Sequence, residues 1–125
     1  MTDPRIKVPG PDHPITLVRN TSRVLIRAAG RQIGETGDAL TLHESTYLPV
    51  HYIPRGDLDM NLLTRTATRT LCPYKGEASY FTLAVGDEVH QDAAWSYETP
   101  YPAVGPVAGH IAFYPGHAEI IVRGH

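Results

Sequence analysis

The chain has one cysteine, Cys72, among its 125 residues. A single thiol excludes an intrachain disulfide and any cysteine cage around zinc. Lysine is nearly as scarce: nine of the basic residues are arginine, and the two lysines are Lys7 and Lys75. Long hydrophobic runs are missing too. None approaches the roughly 20 residues that a membrane-spanning helix needs, so no membrane partner is expected. The start, Met1-Thr2-Asp3-Pro4-Arg5, lacks the apolar stretch of a secretion signal, and the expected location is cytoplasmic. Net charge is −2 with histidines neutral, which gives no broad basic face and predicts no nucleic-acid partner.

Hydrophobic residues make up 42% of the chain and charged residues 19%, the balance of a folded domain with its own core. Eleven glycines and eleven prolines punctuate it. Such punctuation favours many short strands over long helices. Residues 1–12 read as a flexible N-terminal arm and residues 13–125 as a single β domain, monomeric or homodimeric.

Strands are predicted over Ile15–Arg19, Arg23–Ala29, Ala39–Glu44, Val50–Ile53, Thr64–Thr70, Gly76–Val85 and Ala93–Tyr97. Val24, Ile26 and Ala28 share one face at period two, as do Phe81 and Leu83. Gly34–Asp38 reads as a loop. Asp57 reads as the cap of one helical turn through Met60–Leu63. Pro100, Pro102 and Pro106 mark a long irregular connection. His110–Tyr114 and Ala118–Val122, around Pro115-Gly116, read as a closing hairpin. The sum is a mainly β fold of about eight short antiparallel strands in two packed sheets.

The densest chemistry lies in Thr70-Leu71-Cys72-Pro73-Tyr74-Lys75-Gly76. Pro73 suits the second position of a β-turn, and Gly76 suits positive φ or a close backbone approach. The turn would present Lys75, the one lysine in the body of the domain. A cation on a rigid loop can receive a phosphate or carboxylate. Cys72 is a candidate thiolate if its pKa is lowered, and otherwise a small core hydrophobe. Tyr80 and Trp95 combine ring area with a polar tip and suit a pocket rim better than Phe113 does. Arg65 and Arg69 fit a phosphate site or, more simply, a charged edge strand that resists pairing. The seven histidines form no helical His pair; His43-Glu44 and His51 are the set that a hairpin would bring together. No phosphate-binding glycine loop and no nucleophile elbow is present, and no metal or cofactor is expected.

The runs Tyr52–Asp57, Thr70–Tyr80, Ala94–Pro100 and Gly109–Tyr114 together resemble the bacterial and fungal domain of unknown function 427 family. The resemblance covers about residues 13 to 123. It rests on T-x-C-P-x-K-G-x-A-x-Y followed by A-W-x-Y-x-x-P. It implies a compact β domain resembling the Mss4-like or β-tent architecture. Zinc in that architecture needs paired C-x-x-C knuckles, which this chain lacks. The family's nucleotidyltransferase-like label would need paired carboxylates after a Gly-Ser loop, also lacking. The family's recurring residues fall on Glu44, Pro54, Asp57, Thr70, Cys72, Lys75, Gly76, Tyr80, Trp95, Tyr97 and Pro100.

Three functions follow from these readings. The first is binding of a small anionic or aromatic ligand by Lys75, Tyr80, Trp95, Thr70 and Tyr97. The second is an enzyme using Cys72 or Lys75 with Glu44 or Asp57 as proton partner. The third is a non-catalytic protein-interaction module.

Overall fold

A computed structural model describes residues 6–123. Ten strands run in chain order: β1 (Ile15–Asn20), β2 (Arg23–Ala28), β3 (Arg31–Thr36), β4 (Ala39–Glu44), β5 (Val50–Pro54), β6 (Leu63–Cys72), β7 (Gly76–Val85), β8 (Glu88–Ser96), β9 (His110–Phe113) and β10 (Glu119–Arg123). They form two antiparallel sheets, one of seven strands in the order β1-β4-β5-β9-β8-β7-β6 and one of three in the order β10-β2-β3. Helical structure among the described residues is confined to 3-10 segments at Arg55–Asp57, Met60–Leu62 and Pro102–Val107. No described helix is long and apolar enough to cross a membrane.

The core has two parts because both faces of the large sheet are covered. Val24, Ile26 and Ile33 of the small sheet pack on Ile53, Phe81, Leu83 and Ile111 of the large one. On the other face Leu42, Tyr52, Ala78, Tyr97 and Ala112 form a second cluster with Val104 and Val107 of the 3-10 segment. Adjacent residues therefore serve different clusters, as Tyr52 and Ile53 do. A strand buried on both faces reads as a continuous apolar run rather than an alternating one.

The structure corrects several sequence expectations. β9 and β10 are not a hairpin: β9 lies between β5 and β8, and β10 pairs with β2 in the other sheet. Ile111, Ala112 and Phe113 are all buried, a demand that only an interior strand position meets. Gly34–Thr36 is strand rather than loop, because the bare Gly34 lets Leu58 lie against β3. The cap of the Met60 turn is Asp59, whose carboxylate accepts from the Asn61 N–H at 3.3 Å. Asp57 instead ends the preceding 3-10 turn and accepts from Thr36 Oγ1 at 2.7 Å.

Candidate functional site

The turn between β6 and β7 is held from three sides. The Lys75 N–H donates to the Cys72 carbonyl at 3.3 Å, which places Pro73 where its fixed φ is already correct. The Lys7 N–H donates to the Pro73 carbonyl at 2.8 Å, and the Tyr101 N–H to the Lys75 carbonyl at 2.9 Å. Gly76 then turns at φ +112°, a conformation that disfavours any side chain, with Thr99 O and Tyr101 N crossing 3.5 Å from where a Cβ would stand.

This clamped turn delivers Lys75 to Glu44. The two form an ion pair whose side chains are only 14% and 10% exposed. The second Glu44 oxygen meets His13 Nε2 at 2.7 Å. His13 lies flat on Tyr74, with ring centroids 4.1 Å apart and planes 10° apart. Burial pushes the Glu44 carboxyl up, but the hydrogen bonds from Lys75 and His13 more than offset this and hold it below its ordinary value. Lys75 Nζ also stands 5.9 Å from the centre of the Tyr97 ring.

The pairing requires a curled sheet. Glu44 ends β4, and Lys75 precedes β7, four strand spacings away in the sheet order. In a flat sheet that is about 19 Å, at about 4.8 Å per spacing, too far for two side chains to bridge. Coiling of the sheet brings its two ends together around the second cluster.

Aromatic rings continue from this point across the concave face. Tyr97 and Tyr52 are 6.5 Å apart, and Trp95 meets Tyr52 edge-on at 6.3 Å. The Trp95 indole N–H donates to the Tyr52 hydroxyl at 3.3 Å. Burial raises both the Tyr52 and Tyr97 phenols, so both stay protonated across the working range of pH. Trp95 also packs on Tyr114 at 4.5 Å. The Tyr114 hydroxyl donates to Tyr80 at 3.5 Å, and Tyr80 shares a 2.9 Å bond with Thr70 Oγ1. Partial burial and the Tyr80 hydroxyl push the Tyr114 phenol up to about 12.

The predicted site residues thus fall into two connected groups and one outlier. Lys75 and Glu44 meet beside Tyr97, and half-buried Cys72 packs on the cluster that contains Tyr97. Thr70 and Tyr80 join Trp95 through Tyr114. Asp57 is engaged with Thr36, and no contact among the described residues links it to Lys75 or Cys72. Sequence reasoning passed over His13, Tyr52 and Tyr114. The run Tyr52–Asp57 and the segment ending at Tyr114 both carried the family resemblance and were the available signal.

Beside Trp95, where the chain leaves β9 for β10, a cleft of about 510 Å³ opens. Trp95, Phe113, Val50 and Ile120 are among its walls, with His51 and Glu119 as polar members. Phe113 lines it together with Trp95, against the preference for the other aromatics. Thr41 Oγ1 occupies His51 Nδ1 at 2.9 Å, which leaves Nε2 to a ligand. Burial, aided by neighbouring His43, holds His51 below its ordinary pKa and so neutral. Lys75 is not part of this cleft.

His43 and His51 border one shallow hollow, but Glu44 faces away to Lys75. No group of three or more metal-ligating side chains gathers among the described residues. β6 is an edge strand of the large sheet. Its Arg65 pairs with Glu98, and Arg69 lies 4.0 Å from Glu77. Arg65, with Arg55 farther off, holds the Glu98 carboxyl below its usual value despite partial burial.

No curated protein matches the chain. Residues 16–124 match the model of the family described as domain of unknown function (DUF427), and the chain belongs to that family.

Proposed function

We propose that this domain binds a small, flat, largely apolar ligand in the cleft beside Trp95. The observation that carries this reading is the cleft itself, whose volume of about 510 Å³ and apolar, aromatic walls suit such a ligand. Stacking on Trp95 and Phe113 would supply area, and neutral His51 would supply one oriented hydrogen bond. An anionic ligand on Lys75 is the less favoured form of the idea, because Glu44 already meets that charge and an anion would have to displace it. Trp95 is the chain's only tryptophan, so its fluorescence reports the cleft without a label. A panel of planar aromatic compounds, acids and amines included, would be titrated while emission and thermal midpoint are followed. A binder should change both in the wild type and lose affinity on His51→Ala. If no compound moves either signal, the reading fails.

A second reading, an enzyme, is supported by the gathering of His13, Glu44 and Lys75. Glu44 would serve as base and Lys75 as the acid it stays paired with. Turnover of any substrate by the wild type that survives in Glu44→Gln would remove it.

A further inference from the structure

Two histidines that play no part in the site above face each other. His90 lies on β8, and His117 lies on the turn between β9 and β10. Their Nδ1 atoms are 3.0 Å apart, with ring centroids at 5.0 Å and planes at 63°. The other nitrogen of His90, Nε2, lies 3.2 Å from a Glu88 carboxylate oxygen. A carboxylate only accepts, so in the neutral His90 ring the Glu88 bond puts the proton on Nε2 and leaves Nδ1 as a lone pair. That lone pair points at the second imidazole. Without a metal, His117 donates its own Nδ1 proton there.

His90 has the support of a metal-binding histidine: one nitrogen faces a second imidazole, and the other is tied to a carboxylate that fixes the tautomer. We propose that His90 and His117 form a two-histidine site for a divalent transition metal of the Cu²⁺ type. Binding replaces the shared Nδ1 proton, which leaves to solvent. The observed 3.0 Å is an N–H···N hydrogen-bond length. Two nitrogens sharing a metal at about 2.05 Å stand about 2.9–3.3 Å apart, so the rings need only turn their lone pairs to a common point beside that line. Cu²⁺ forms the tightest imidazole complexes of the divalent first-row ions and is the ion such a pair favours. Both side chains are partly exposed, and His117 borders a hollow of about 250 Å³ that leaves room for water on the remaining positions. No third side-chain ligand is gathered among the described residues, so the site holds its metal through two protein nitrogens and solvent.

The test uses the whole chain and CuSO₄ alone. Titration calorimetry should give one site, and the electron paramagnetic resonance spectrum of the bound ion should be tetragonal with splitting from two imidazole nitrogens. His90→Gln and His117→Gln should each weaken binding at least tenfold. Glu88→Gln should weaken it by about tenfold, the low end for loss of a carboxylate behind a ligating histidine. His43→Gln, on a separate exposed position, should bind like the wild type. Circular dichroism melts identify any variant that fails to fold, and the two histidine variants stand in for each other. Splitting from a single nitrogen, or copper affinity unchanged in both variants, would overturn the proposal.

Discussion

Removing one partner of the Glu44–Lys75 pair should cost far more than removing both. The side chains are 10% and 14% exposed, so each charge depends on the other for the solvation that burial took away. Lys75→Met keeps the apolar stem against Tyr97 and deletes the cation, leaving Glu44 with His13 alone. Glu44→Gln keeps the shape and leaves the ammonium unpaired. Each should lower stability by about 3 kcal/mol, the low end for breaking a buried pair. For a domain of this size that is a drop of roughly 10 °C in Tm. The double variant should recover most of the loss and lie within about 1 kcal/mol of the wild type, a coupling of about 5 kcal/mol.

A built-in control sits on the surface. Arg19 and Asp38 also form an ion pair, but their side chains are 67% and 57% exposed. Arg19→Met should cost under about 1 kcal/mol. Urea unfolding followed by Trp95 emission measures all four variants on one scale. If Lys75→Met costs no more than Arg19→Met, or if the Glu44 and Lys75 costs simply add, the sheet ends are not joined by a buried pair and the curled-sheet argument loses its main support.

Two further outcomes follow. The Glu44 carboxyl is held below its ordinary value near 4.5, so the unfolded chain takes up that proton first. The pair's stabilisation is complete above that value and is lost as pH falls through the folded one; Lys75→Met should flatten this part of a stability-versus-pH curve, and an unchanged slope would contradict the assignment. Gly34→Ala should destabilise by about 1–3 kcal/mol, since its Cβ would stand 2.6 Å from Leu58 Cδ2 and 2.9 Å from Asp57 O. The sign is the test in a urea melt, because an unobstructed glycine-to-alanine change stabilises by about 0.4–1 kcal/mol.

Local features were legible in the sequence wherever one rule governed them. The Cys72–Gly76 turn followed from proline and glycine chemistry, and the face of Val24, Ile26 and Ala28 from alternation. What escaped was set by the second layer. Alternation assumes one wet face, yet Tyr52-Ile53 and Ile111-Ala112-Phe113 are buried on successive positions because the large sheet is covered on both sides. Two neighbouring apolar residues in a four-residue run carry no sign of which partner strand each will meet, so β9 read as half of a local hairpin instead of the middle of a sheet. The same gap hid the site. Lys75 stood out by composition and Glu44 by resemblance, but their meeting depends on the curl of seven strands, and curl is a property of the assembled sheet. His13 was hidden for a related reason: a histidine before a proline in a lead-in segment has no local pattern, and its role appears only once Tyr74 and Glu44 arrive from two other places in the chain. In the sequence Cys72 fits a small core hydrophobe better than a thiolate; in the fold it is half-buried and packs on the Tyr97 cluster.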